Sequence, residues 1–470
     1  MIDMNGIATC ACLYKLLIDI GDEMIDMNGI ATAIGVPCIV SGVMQEHLQL
    51  WETLYCNQAA WVNQRVRSLQ IPSVVSRELK RLTLTEFDLT AADSRLQEIL
   101  QRFLPKLRQK LDYGIASGGL LMKPCYAAGG IFVDLVPQGR YLPIQYTDDQ
   151  CTAIACTEYA VMEKNCYTRI EIHTYENGSH TVENRCFRSP MIGVLGTPCS
   201  LLEVPQWASL LESITFPAEQ PLFAVFQMPD TNNIDLDCPL GVSAFSDAVG
   251  FIRDADEQWE RILWELESSE RAIDASEDLF RFNPETNQPV LPKGRERMYH
   301  CLEATGEGGK TIYNTFSPEV RDNSYFHALN QIFRQIENTT GLSYGTISEV
   351  SDVEKTAEEV KSSKQRSFVR VCDIQKNLQT ALEQLAAAVL TYDRLLFQNS
   401  NTDATITCQF GDGVLEDTEK EFNRQLAMVQ ARVLKPEQLL QYHFQCTEEE
   451  ARNLLPEQQD AGGLFDGGAF

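Results

Sequence analysis

Apolar positions recur at helical spacing over the first hundred residues, and the pattern then changes period. Leu48, Trp51, Leu54 and Tyr55 predict a helix over Met44–Trp61. Pro72 opens a second helical stretch reaching about Leu82, and Leu96, Ile99, Leu100, Phe103, Leu107 and Leu111 mark a third, with a kink expected at Pro105. From Gly114 to His180 short apolar runs alternate with Gly, Pro and Asp, which predicts strands over Gly119–Tyr126, Ile131–Val136, Thr152–Met162 and Tyr167–Tyr175. Asn177-Gly178 is the strongest hairpin signal in the chain, because both residues tolerate positive φ. Arg188–Gln220 reads as irregular cover and Pro221–Met228 as one more buried strand.

The stretch from Pro239 to Asp393 has a different plan. Phe245, Val249, Ile252, Ala255, Trp259, Ile262 and Leu266 form one apolar stripe, predicting a helix over Val242–Phe280 that would span about 50 Å. Arg281–Arg321 is broken by Pro and Gly around short strand-like pieces. Tyr325–Asn338 then returns as helix, with Phe326, Leu329, Ile332, Phe333 and Ile336 on one face. A helix that leaves, makes a small sheet and comes back builds a stalk with a tip. Gly341–Lys355 reads as a loop. Thr356 with Glu359 has the capping-box spacing, and the absence of Gly and Pro lets the following helix run to about Phe397. Thr405–Phe410 reads as a strand, Glu416–Leu434 and Pro436–Leu455 as helices, and the last fourteen residues as a flexible tail.

Composition narrows the function classes. The 470 residues leave room for two or three domains, and 44% apolar with 22% charged is ordinary for a globular protein. The net charge of −27 argues against holding nucleic acid on a broad basic face, while leaving room for DNA to pass without being held. Fifteen scattered Cys with no CxxC point to reduced thiols, and six His without HExxH or an i,i+4 pair argue against zinc. MIDMNGIAT at Met1–Thr9 recurs at Met24–Thr32; two copies are too few for a solenoid, and a duplicated or misassigned start is the favoured reading. The apolar runs near it are too short and too acidic for a membrane span, and no targeting signal is read.

Candidate chemistry is sparse. Ala304-Thr-Gly-Glu-Gly-Gly-Lys310-Thr311 fits a loose phosphate-loop pattern, so one alternative is a nucleotide hydrolase using Lys310 and Thr311. The following Ile312-Tyr-Asn-Thr-Phe-Ser-Pro318 is β/turn sequence, whereas a phosphate loop must open a helix, so an exposed hairpin tip is favoured. Asn232-Asn-Ile-Asp-Leu-Asp237 lacks the frame of a calcium loop and reads as a solvated turn. Between Val242 and Phe280 eleven acids face three Arg. This is a solvated helix face or, functionally, a negative wall that lets a duplex slide without sticking. Asp254, Glu257, Glu260 and Glu265 are the candidates for that face, with Glu349, Asp352, Glu354 and Lys355 at a narrow point. No G-x-S-x-G elbow and no convincing carboxylate pair is present, so no catalytic residue, cofactor or metal is assigned.

An order of features over Met44–Leu455 resembles the portal proteins of tailed double-stranded DNA phages, in the branch of long-tailed siphophages of Gram-positive hosts. The residues that carry the resemblance are Leu50-Trp51-Glu52 with Leu54-Tyr55, then Ile71-Pro72 with Val75, and Tyr113-Gly114, Gly118-Gly119 and Lys123-Pro124. Further along they are Asp237, Pro239-Leu240-Gly241-Val242-Ser243 and Phe245; Gly341-Leu342-Ser343, Gly345-Thr346 and Lys355-Thr356-Ala357-Glu358-Glu359-Val360; and Thr447-Glu-Glu-Glu-Ala451. Tyr344 stands where many relatives have Pro, and residues 1–43, the N-terminal extension with the duplicated segment, match nothing in the family.

The resemblance implies an α+β portal fold with a helical stem, a small α/β clip, a β-rich wing and a helical crown. The wing would take 44–238 and 356–415, stem helices 239–280 and 323–340, the clip 281–322, the tunnel loop 341–355 and the crown 416–456, before a tail at 457–470. It implies a homo-oligomeric ring of about twelve subunits at one capsid vertex, a portal and head-tail connector without enzymatic activity, with another minor capsid protein as the alternative beside the nucleotide hydrolase. Double-stranded DNA would pass through without sequence specificity during genome packaging and ejection. The implied partners are the terminase large subunit, a head-tail adaptor, and the major capsid and scaffold proteins, in the virion and earlier in the host cytoplasm, with no membrane. Thr346, Glu349, Asp352, Glu354 and Lys355 would form the tunnel loop, and Lys293, Arg295, Arg297 and Lys310 would serve clip docking.

Overall fold

The computed structural model describes residues 25–127, 129–147, 150–162, 165–191, 193–270, 272–276, 279–285, 289–290, 298–302, 313–317, 319, 321–349, 357–397, 403–411, 425–429, 431 and 433–444. The chain divides into two units, Met1–Gly411 and Asp412–Phe470.

The first unit opens with α1 (Met27–Ile34), whose N-cap Asp26 accepts the Gly29 N–H at 2.9 Å and whose end is closed by Gly35 at φ 78°. Met27, Ile30, Ala31 and Ile34 lie in the main core, and the Arg185 guanidinium donates to the Ile34 carbonyl at 3.1 Å. The second copy of the repeat is therefore a packed part of the fold and not a loose extension; the first copy lies outside the described residues. Ser41 caps α2 (Gly42–Tyr55), Pro72 sits in the first turn of α3 (Ile71–Thr83), and β1 (Asp88–Ala91) leads into α4 (Ser94–Ser117), capped by Asp93. The α4 helix runs on through Pro105, which is exposed.

Two stretches that carry the resemblance meet here. Tyr55 and Tyr113 stack with centroids 5.3 Å apart, the Tyr113 hydroxyl donates to Glu52 at 2.5 Å, and Arg140 donates to the same carboxylate at 2.6 Å.

The β region follows as expected in order. The antiparallel pair β2 (Gly119–Ala127) and β3 (Gly130–Pro137) is followed by β4 (Tyr141–Thr147), β5 (Gln150–Met162), β6 (Asn165–Glu176), β7 (Ser179–Ser189) and β8 (Thr197–Cys199). These last five form one antiparallel sheet in that order, and β9 (Ser213–Pro217) also pairs with β7. The segment read as irregular cover thus contributes β8, β9 and the buried Trp207. β10 (Ala224–Gln227) returns onto β2. The β6–β7 hairpin turns at Asn177 (φ 51°) and Gly178 (φ 74°), as its dipeptide requires. At the junction of α4 and β2, Gly118 (φ 91°) and Gly241 cross so closely that a Cβ on either would lie 2.4 or 2.3 Å from the other's carbonyl oxygen. The Gln138 amide donates to Ser117 and Gly241 carbonyls there and fixes the crossing.

A chain of buried polar groups runs across the larger sheet. Arg169, 3% exposed, donates to Glu158 (2.6 Å), Asn184 (2.7 Å) and Glu171 (3.1 Å), and Lys123 reaches Glu171 at 2.9 Å. His173 Nε2 lies 2.8 Å from Glu171 and its Nδ1 lies 3.0 Å from His180 Nε2. Since the Leu222 N–H points at His180 Nδ1, each neutral imidazole has one donor and one acceptor in use, all running towards Glu171.

The stalk helix α5 spans Val249–Ser268 only, about 30 Å, which corrects the helix expected over Val242–Phe280. Its start is displaced by a turn through Ser246–Ala248, and beyond Glu270 the period changes to two. Ile273 and Ala275 are buried alternately in β11 (Ala272–Ser276), so the tip sheet begins nearly ten residues before the boundary placed at Arg281. After the short β12 (Arg281–Phe282) and β13 (Pro289–Val290) ribbon come β14 (Tyr299–Leu302), parallel to β11, and β15 (Tyr313–Phe316), antiparallel to it. α6 (Asp322–Thr340) returns, and α7 (Ala357–Phe397) is the long helix expected after the loop. Ile374, Leu378, Ala381, Leu382, Leu385, Ala386 and Val389 form its core spine. β16 (Ile406–Gln409) pairs with β1, about two thirds of the chain away in sequence. In the second unit α8 (Pro436–Phe444) forms within the expected Pro436–Leu455.

Candidate functional site

The two stalk helices are antiparallel: Arg321 at the start of α6 meets Glu265 near the end of α5, and the other end of α6 packs by the turn that precedes α5. Ile252, Ala255 and Ile262 of α5 face Leu329 and Ile336 of α6 in the common core. This arrangement sorts the acids of α5 by what lies opposite them. Asp254 is exposed and Glu260 half-buried on the outer face. Glu257 lies on the same face between Arg253 (2.8 Å) and Arg261 (3.9 Å), so its charge is largely answered locally. Glu265, 5% exposed, is turned to Arg321 in a two-pronged pair at 3.0 and 2.8 Å, and those bonds hold its carboxyl below the usual range. The Arg321 side chain that covers it is itself exposed. Glu265 therefore closes the helix pair and does not belong to the exposed acidic face on which the sequence placed it. The outer face also carries Trp264, 58% exposed.

Asp256 points the other way. At 2% exposure it accepts the Trp61 indole N–H at 2.9 Å and the Leu69 N–H at 2.7 Å, tying the segment between α2 and α3 to the stalk. Burial pushes its carboxyl up, against these two bonds that hold it down. Asp256→Ala leaves both donors without their acceptor, and an expected loss of about 2 kcal/mol should appear in chemical denaturation of the full chain. A change within about 0.5 kcal/mol, typical of exposed positions, would remove Asp256 from this role.

At the other end of the pair the chain turns from α6 into the loop before α7. Gly341 ends α6 at φ 74°. One buried carboxylate organises this loop. Glu337, fully buried on the last turns of α6, accepts the N–H of Ile347 (2.6 Å), the N–H of Ser348 (2.9 Å) and the Ser348 hydroxyl (2.7 Å). The Asn330 side chain accepts the Glu349 N–H at 2.8 Å, and Ser343 and Ser367 hydroxyls meet at 2.8 Å between loop and α7. Arg366 of α7 lies over the Tyr344 ring at 5.6 Å and bonds Asn338. With its backbone donors turned inward, the loop shows Tyr344, Thr346 and Glu349 to solvent. Thr346 donates its hydroxyl to the Ser343 carbonyl at 2.6 Å.

The structure brings Thr346 and Glu349 together on one exposed loop. Asp352, Glu354 and Lys355 lie outside the described residues, as do Lys293, Arg295, Arg297 and Lys310 and the whole Ala304–Thr311 phosphate-loop pattern. Sequence reasoning missed Glu337, Asn330 and Asp256. Each is one acid or amide on a polar-rich helix, and no spacing distinguishes an inward polar residue from its solvated neighbours. Among the described residues no group of three His, Cys, Asp or Glu could hold a metal, and no helix is long and apolar enough to cross a membrane.

The family model described as phage portal protein, SPP1 Gp6-like, matches residues 148–463. That span runs from the larger sheet through both stalk helices, the loop and α7 into the second unit, and it is more than half of the chain. The chain belongs to this family of phage portal proteins, a structural family of the virion. No curated protein matches the chain.

Proposed function

We propose that copies of this chain close into a ring of about twelve subunits at one capsid vertex and form the channel through which double-stranded DNA is packaged and ejected. The observation that supports this reading most directly is the loop Gly341–Glu349. It is held at its base by a buried carboxylate, is tied to both α6 and α7, and presents Thr346 and Glu349 outward. A rigid base with an exposed polar tip suits a constriction past which a polyanion moves without being bound. Thr346, Glu349, Asp352, Glu354 and Lys355 form the constriction in this reading, and Asp254 and Glu260 contribute negative wall along the stalk, where phosphates are repelled.

The clip segment 281–322, whose sequence includes Lys293, Arg295, Arg297 and Lys310, docks the terminase large subunit during filling and the head-tail adaptor afterwards; major capsid and scaffold proteins surround the ring. The ring has no catalytic role, and ATP chemistry resides in the terminase.

Negative-stain images of purified full-length protein test the assembly. Rings with a central hole are expected, and monomers alone at high concentration would overturn it. The same rings carrying Asp254→Lys and Glu260→Lys are expected to retain duplex DNA at low ionic strength where the parent rings do not, and to lose it as salt is raised. Equal DNA retention by both would place these acids away from the channel.

A further inference from the structure

We propose that Cys186 and Cys199 form a reversible disulfide that locks β8 onto the larger sheet. The two residues are direct cross-strand partners in the antiparallel β7–β8 pair, and their sulfurs lie 3.2 Å apart. No backbone rearrangement is needed to bring them together, since the ladder has already set the spacing and both side chains are on one face of the sheet. Cys186 is buried and Cys199 half-buried, so an oxidant can reach one member of the pair from solvent and the other is screened behind it.

The location gives the bond a consequence. β8 is a three-residue edge strand, and it leads straight into the turn Leu201–Glu203. Leu201, Val204 and Trp207 beyond it pack with Cys186, Ala160 and Tyr167 in a cluster separate from the main core. Three pairs of facing residues, the exposed Arg188–Glu203 ion pair and this small cluster hold the border to the sheet. A covalent bond at Cys186–Cys199 closes the loop between them and holds the whole cluster in place.

The chemistry balances with a small-molecule disulfide such as oxidised glutathione as the oxidant. The Cys199 thiolate attacks one glutathione sulfur, forming a mixed disulfide and expelling a glutathione thiolate. The Cys186 sulfur then displaces the second glutathione and forms the Cys186–Cys199 bond. The two protein thiols lose two electrons and two protons, and the oxidant takes up both as two molecules of reduced glutathione. Burial pushes the Cys186 thiol up to about 12 and raises Cys199 as well, so closure should be slow near neutrality and faster as pH rises.

Full-length protein incubated with oxidised glutathione, quenched in acid and digested without reduction, gives a direct reading by mass spectrometry. The expected product is a Cys186–Cys199 linked peptide, lighter by two hydrogens than the two reduced peptides, recovered on reduction. It should accumulate ahead of any other protein disulfide among the fifteen cysteines. The oxidised protein should melt several degrees higher than the reduced, and Cys199→Ser should abolish both the linked peptide and the shift. A stable glutathione adduct at Cys199, or both thiols unmodified while the exposed Cys56 is glutathionylated, would overturn the proposal.

Discussion

Arg169→Ala is expected to cost about 3–5 kcal/mol of stability. Arg169 is nearly inaccessible and its guanidinium serves Glu158, Glu171 and Asn184 at once. Truncation removes a buried cation that Glu158 and Glu171 share, and Lys123 and His173 remain on Glu171 alone. An exposed arginine with a comparable ion pair is the contrast: Arg253→Ala, at the Glu257 pair on the outer face of α5, should stay within about 0.5 kcal/mol. Equal effects of the two substitutions in denaturation of the full chain would mean that the buried chain is not a stabilising unit.

The same chain carries a pH dependence whose sign is set by its histidines. Burial pushes His173 and His180 below the ordinary value of 6.5, so both stay neutral in the fold while the unfolded chain takes up protons. Their contribution is complete above pH 6.5 and is lost as pH falls towards their folded values, by at most about 1.4 kcal/mol per pH unit for each. Glu171 adds to the loss at lower pH: burial works to raise it, but Lys123, Arg169 and His173 hold it well below the usual range. Its contribution is present above the ordinary carboxylate value and disappears as pH drops through the depressed one. Melting temperatures recorded from pH 7.5 downwards should therefore fall first in the histidine range, and a profile flat to pH 5 would contradict the neutral assignment.

Glu337→Ala is expected to release the loop after α6 without dissolving the stalk. It deprives three backbone N–H groups, of Gly345, Ile347 and Ser348, and one hydroxyl of a charged acceptor in a fully buried place, a loss of about 3 kcal/mol or more. Because the donors all belong to the loop, the effect should be local: hydrogen exchange at Ile347 and Ser348 should accelerate strongly while amides in α5 and the sheet hold. Glu337→Gln keeps one acceptor oxygen and should be intermediate. On the channel reading, Glu337→Ala rings should assemble but package or retain less DNA. Unchanged exchange at Ile347 and Ser348 would refute the anchor itself. Accelerated exchange with normal packaged heads would spare the anchor and count against the loop as the constriction.

The legible and illegible parts of this chain divide by period and by range. Helices α2, α3, α4 and α6 were readable because apolar residues every three to four positions are a local signal, and α7 because no Gly or Pro interrupts it. The β6–β7 turn was readable because Asn177-Gly178 meets a local backbone demand. The end of α5 was misread because the acids of Glu265–Asp278 are compatible with either period; only the sheet that β11 joins selects strand at Ala272–Ser276.

The order of helix, sheet and returning helix and the family are legible along the chain, in which no convincing catalytic motif occurs. Which acid does what depends on the fold, because identical carboxylates on one helix differ solely in what lies opposite them. Asp254 meets water, Glu257 meets two arginines, Asp256 meets the Trp61 and Leu69 donors, and Glu265 meets Arg321. Glu337 and the Cys186–Cys199 pair belong to the same class: their partners are far enough along the chain that no local spacing announces them, and the fold alone brings them into contact.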